Sequence, residues 1–199
     1  MAINLTKGQS IILSKTQYDL SQMIMGLGWD IAQAKKGIFG LASNADFDLD
    51  SYALLLGDNG KLKNYKEDVI YYGHLASSDK TVVHLGDNLT GAGEGDDEQI
   101  ILKLNSLSGQ YHRIILGVNI YQAKERKQHF GMVDNAFVRA VDAAGKEIAR
   151  YSLSSERSFE GKITMLIGEV YREGGEWKFK ALGNPLADDF NVVVGSFMK

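Results

Sequence analysis

The sequence predicts a mostly β fold, a sandwich of two sheets with one or two short helices, including a C-terminal helix. Three observations lead there. The chain has one proline and 22 glycines, so little interrupts extended segments and many points let the chain turn. About ten short apolar runs follow one another at the period and spacing of strands. Hydrophobic residues make up 44% of the 199 positions, enough to fill one core, and the expectation is a single domain over residues 1–199.

Taken in order, residues 3–6 and 11–14 alternate around residues 7–9 and read as a hairpin or paired edge. Residues 23–29 are apolar with Gly26 and Gly28 inside, the mark of a bulge or a close backbone approach. Residues 50–56 form the next strand, turned by Gly57, Asp58, Asn59 and Gly60. Residues 68–72 and 81–85 follow. Residues 99–104 alternate cleanly, Ile100 and Leu102 against Ile101 and Lys103. Residues 113–121 are long, apolar and rich in isoleucine, and 136–141, 147–153, 163–171 and 177–182 complete the set. Strands this short and this close predict two packed sheets.

Two helices are expected. Residues 122–128 are charged and about two turns long. At the C-terminus Asn184 reads as an N-cap with Pro185 at the first helical position. Leu186, Phe190, Val193, Val194 and Phe197 then recur as one apolar stripe.

Composition removes several functions. With no cysteine there is no disulfide framework, thiolate chemistry or Cys-ligated zinc. A pI near 5.8 and the lack of a basic stripe argue against nucleic acid. The N-terminus does not read as a signal peptide, and no run approaches the ~20 apolar residues of a membrane span. A cytoplasmic protein without a transmembrane segment is the expectation. His74, His84, His112 and His129 are dispersed and suit surface or strand positions better than zinc or base chemistry. With no GxSxG elbow or CxxC, no enzyme activity is expected.

What remains is acid. Residues 85–98 (LGDNLTGAGEGDDE) hold five carboxylates, Asp87, Glu94, Asp96, Asp97 and Glu98, and no basic residue. A solvated acidic loop is the alternative that composition allows. A hard divalent cation gives such a loop a reason to fold, and Ca²⁺ accepts oxygen ligands in flexible geometry. The segment is not an EF-hand, because Leu89 and Gly91 stand where side-chain oxygens are needed. Nor is it a phosphate cradle, since Glu94 and Asp96 would repel a pyrophosphate. A second cluster is Asp46, Asp48 and Asp50, which share one face of an extended segment. Asp30 ends the apolar strand that Trp29 anchors.

These stretches, with GLGWD at residues 26–30, DFDLDSYALLL at 46–56, QHFG at 128–131, ARYSL at 149–153 and GEVYREGGEWKFKALG at 168–183, resemble the TerD family of tellurium-resistance and stress proteins over nearly the whole chain. The resemblance implies a calcium-binding β-sandwich without known catalytic activity, holding about two Ca²⁺ ions. Residue by residue it carries over to Asp30, Asp48, Asp50, Asp87, Asn88, Glu94, Asp96, Asp97 and Glu98; Asp46 joins them from its position beside Asp48. Leu89 departs from the family, where arginine is common. The partners it implies are other TerD-domain or membrane-associated tellurite-resistance proteins. Two alternatives stand beside it: a calcium-dependent module for anionic membrane surfaces, and a carboxylate-pair hydrolase. Because the acids fall at strand ends, Asp96, Asp97 and Glu98 are expected to serve the ion and to matter little to the metal-free scaffold. Arg139 and Arg150 are expected to pair with acids at the loops.

Overall fold

The computed structural model describes residues 2–31, 48–86, 95–153 and 159–198. Among the described residues twelve strands form two six-stranded sheets. The first sheet runs β1 (Ile3–Leu5), β10 (Glu147–Ser152), β9 (Val133–Val141), β3 (Met23–Ile31), β7 (Glu98–Leu102) and β6 (Val82–His84). The second runs β2 (Ser10–Leu13), β12 (Glu176–Leu186), β11 (Thr164–Glu173), β8 (Arg113–Ile120), β4 (Leu49–Leu56) and β5 (Val69–Ile70). Every neighbouring pair is antiparallel except β1 with β10. The mostly β sandwich expected from the alternation is what forms.

The N-terminal segments do not make a hairpin. β1 joins one sheet and β2 the other, and the chain crosses between them through a turn at Gly8, whose φ is +84°. Splitting the pair lets Leu5 and Leu13 both face the core, whereas a hairpin would place both strands in one sheet. The expected strand with a bulge is β3, which slips register against β9 between Gly28 and Asp30. A true hairpin joins β11 to β12, where Gly174 and Gly175 at φ +61° and +82° supply the left-handed turn. It buries Trp177, whose indole N–H donates to the Leu104 carbonyl beneath the Arg172 guanidinium.

The main core lies between the sheets, with Met23, Met25, Leu116, Met165 and Phe179 fully or almost fully buried. A second cluster covers the outer face of the second sheet. All eight residues of β4 are therefore buried: Ala53 and Leu55 face the partner sheet, while Tyr52, Leu54 and Leu56 face outward under Phe190, Val194 and Phe197. Those last three belong to, or directly follow, the C-terminal helix.

That helix exists but starts later than expected. It follows two short helices, α1 (Tyr65–Asp68) and α2 (Ala123–Arg126), and is α3 (Phe190–Ser196). Its N-cap is Asp189, which accepts from the Val192 N–H. Asn184 and Pro185 instead continue β12. β2 pairs with β12 only at Trp177–Lys180, so Pro185 sits where one side of β12 has no partner strand and a missing N–H is tolerated. The segment at 122–128 shortens to α2 because Gln122 and Lys127 both take positive φ, 50° and 54°. Residues 68–72 contain only a short β5, since Asn64 caps α1 and Asp68 is drawn in to accept from Lys63 N–H, Asn64 N–H and the Tyr111 hydroxyl.

Leu54 is wholly buried under α3. Leu54→Ala should cost about 2–5 kcal/mol by lost burial and residual cavity, read as a lower urea midpoint with an unchanged slope.

Candidate metal centre

The described end of the acidic segment, residues 95–98, is seated on β3 where Gly26 and Gly28 leave its outer face bare. In β3 the large residues Met25, Leu27 and Trp29 point to the core, so Gly26 and Gly28 fall on the outer face by strand alternation. A Cβ on Gly26 would lie 2.2 Å from the Asp96 carboxylate, and one on Gly28 would lie 2.5 Å from the Phe137 ring. Residues 95–98 pack against this surface. Asp97 N–H donates to the Leu27 carbonyl and Trp29 N–H donates to Asp97 Oδ2, both at 2.8 Å.

Asp96 then meets Arg139 in a two-pronged ion pair, Nε to Oδ1 at 2.7 Å and Nη2 to Oδ2 at 3.0 Å. The Gln99 amide donates to the same carboxylate. Arg139 also reaches Glu147, which Arg150 holds from the other side while stacking on Phe137. The expected pairing of Arg139 and Arg150 with acids is present, although for Arg150 the acid is in its own strand. Arg150, with Arg139 behind it, holds the Glu147 carboxyl below its usual range.

Glu98 faces the other way. It shares the inward phase of Ile100 and Leu102 and is 2% exposed. From β7 it crosses to the second sheet, where the Ser51 N–H donates to Oε2 at 2.7 Å. His84 stands beside it, Nε2 at 3.5 Å from the same oxygen and 2.9 Å from Ser51 Oγ. The Gly86 N–H donates to His84 Nδ1 at 3.1 Å, so the ring proton belongs on Nε2. Ser51 and Glu98 thus sit on the same imidazole nitrogen, whereas a nucleophile triad needs the carboxylate on the opposite one.

Two oxygens at this seam lack partners. Glu98 Oε1 and Asp48 Oδ1 are buried without a hydrogen-bond partner among the described residues. Burial pushes the Asp48 carboxyl up, the Arg126 guanidinium opposes this, and the charge of Glu98 pushes it up further. Arg126 Nη1 lies 3.8 Å from Asp48 Oδ2. Two carboxylates, each with a bare buried oxygen, offer the oxygen chemistry that a hard divalent cation takes. Among the described residues no three histidine or acidic side chains converge at metal-holding spacing.

The remaining expected acids divide. Asp46, Asp87, Asn88 and Glu94 lie outside the described residues, as does the side chain of Asp30, whose backbone pairs with Asp134 in β3. Asp96 and Asp97 are described and are engaged with Arg139 and Trp29. Asp50 stands on the opposite face of β4 from Ser51, where the Asn119 amide donates to Oδ2 at 3.3 Å. Sequence reasoning left out Ser51 and His84. The signal for both was phase: Ser51 shares the inward positions of Leu49 and Ala53, and His84 that of Val82.

The model of the TerD domain family matches residues 1–197. The tellurium resistance protein TerD of Serratia marcescens is 44% identical, with 99% of this chain and 97% of that protein covered. The stress response protein SCP2 of Bacillus subtilis is 42% identical, with 94% of each covered. Among solved structures, a homologue of the telluride resistance protein TerD from Streptomyces coelicolor superposes with a TM-score of 0.65 at 22% identity, covering 87% of this chain and 95% of that one, which speaks to the fold.

The contacts overturn the expectation that Asp96, Asp97 and Glu98 are idle in the scaffold, since each takes a backbone N–H or an arginine. Asp96→Ala should cost about 1.5–3 kcal/mol without any metal, the range for hydrogen bonds to charged groups. Gly26→Ala should destabilise in the same direction by evicting the same carboxylate; equal midpoints in denaturant for wild type and both variants would refute the seating. For Glu147 the folded pKa lies below the unfolded one. Its stabilisation is therefore present above the ordinary value near 4.5 and disappears as pH falls through the folded value. The stability gap between wild type and Glu147→Gln should close on acidification, measured by thermal unfolding across pH.

Proposed function

Because the chain belongs to the TerD family, we propose that it is a non-enzymatic calcium-binding protein of the tellurite-resistance and general stress response. The pair of bare buried oxygens on Asp48 and Glu98 carries this reading. Bound there, Ca²⁺ would supply positive charge to two carboxylates that otherwise repel each other. Glu98 is held for that role by the Ser51 N–H and flanked by His84, so one oxygen is occupied by the scaffold and the other left available. Asp48 enters from the opposite sheet, just ahead of β4. The ion would thus join the two sheets at one edge, with further oxygens from the acidic stretches that the resemblance names. On this reading the protein acts in the cytoplasm through protein partners of the same resistance system.

Thermal unfolding in EDTA and in excess Ca²⁺ tests the reading. At about 100 times its dissociation constant a ligand adds about 2.7 kcal/mol, a rise of several degrees. Millimolar Mg²⁺ should leave that rise in place, because Mg²⁺ demands a compact octahedron and gives up water reluctantly. Asp48→Asn should raise the midpoint in EDTA, by removing a buried charge, and should lose most of the Ca²⁺ shift. Identical midpoints with and without Ca²⁺ would end the calcium reading. Co-sedimentation with anionic vesicles only in Ca²⁺ would move the function to a membrane surface.

A further inference from the structure

A cavity of about 270 Å³ lies on the outer face of the second sheet, between α2 and the start of α3. Strand register sets its floor. Asn119 on β8 stands opposite Thr164 on β11, and the alternation that turns Met165 inward brings both side chains to the outer face. Tyr71 and Phe190 make one wall, their ring centroids 5.3 Å apart and their planes inclined by 42°. Across from them, Lys124 of α2 pairs at 3.5 Å with Asp189, the cap of α3.

The polar groups at this cavity are largely neutral and two-sided. The Asn119 amide gives one N–H to Asp50 and keeps its second N–H and its carbonyl without a partner among the described residues. The Gln122 amide reaches only the Tyr121 hydroxyl, at 3.5 Å, and the Asn191 amide reaches no described residue. The Thr164 hydroxyl donates to the Asp188 carbonyl and can still accept. An amide holds a donor and an acceptor side by side, and the ligand group that answers both is a hydroxyl. Charge narrows the class. The Lys124 ammonium is engaged by Asp189 and Glu125 also lines the space, so a phosphate or carboxylate on the ligand would be repelled. Tyr71 and Phe190 are too far from parallel to clamp a flat base between them, whereas a saturated ring needs only one aromatic face for its C–H groups. The volume falls just short of the ~300–1,000 Å³ that drug-sized ligands occupy, which suits a single small ring. We propose that this cavity binds a neutral polyhydroxylated ring, a hexose or a cyclitol, with hydroxyls on Asn119 and Thr164 and its C–H face on the wall of Tyr71 and Phe190.

NMR titration of the isotope-labelled full chain with D-glucose, and separately with myo-inositol, tests this in EDTA and again in Ca²⁺. The side-chain amide signals of Asn119, Gln122 and Asn191 should shift and saturate at millimolar ligand in both media. The tighter of the two rings identifies the source. A hexose phosphate and adenosine should each bind at least about tenfold more weakly. Asn119→Ala should weaken binding by about threefold to tenfold, the effect of one lost hydrogen bond. Asn191→Ala, at an exposed position of α3, should act in the same direction and serves if Asn119→Ala does not fold. Shifts that never saturate with either ring, or unchanged affinity in the folded variants, would overturn the proposal. Tighter binding of adenosine would overturn it, and so would binding that requires Ca²⁺, which would give the cavity to a metal. Because the ring is titrated in EDTA as well, this outcome is independent of the Ca²⁺ shift in thermal unfolding, and the two readings fail separately.

Discussion

A carboxylate inside a sandwich is the constraint around which this molecule is arranged. Glu98 lies in phase with Ile100 and Leu102 and so must point between the sheets, where an isolated charge is expensive. One oxygen is satisfied by a backbone N–H from the opposite sheet. That bond fixes β7 against β4 at the seam and sets where the acidic stretch can run. Residues 95–97 lie against β3 where Gly26 and Gly28 leave that face bare. Asp96 and Asp97 can then be held flat, one by Arg139 and one by the Trp29 N–H. Seating and charge are solved together.

The same strands separate two environments. Along β4, Ser51 looks toward Glu98 while Asp50 looks out toward the cavity beside α3, so consecutive residues serve opposite sides of one sheet. A period-two strand does this at no extra cost in chain length. Of the two described aspartates, Asp48 feels the charge of Glu98 and Asp50 accepts from the Asn119 amide.

Much of this was legible in the sequence, and the misses have physical causes. Strand positions came through because alternation and turn glycines are local. The fate of residues 3–6 and 11–14 was not local: whether two neighbouring strands pair with each other or with β10 and β12 depends on partners far along the chain. Asn184 and Pro185 read as a helix start because a cap followed by proline is a strong local signal, yet the same pair is tolerated in a strand whose neighbour has ended. The GLGWD stretch announced a close approach without saying to what, since Asp96 lies far away in sequence. The inward phase of Glu98 and His84 was readable and was masked by the acidity of the stretch that Glu98 ends.

The four outermost strands of the two sheets, β1, β2, β5 and β6, are three, four, two and three residues long. A longer edge would present a row of free amides and carbonyls for another chain to copy. These four strands offer few rungs to a foreign strand, and where β12 runs on past β2 its open side carries Pro185, which lacks an N–H.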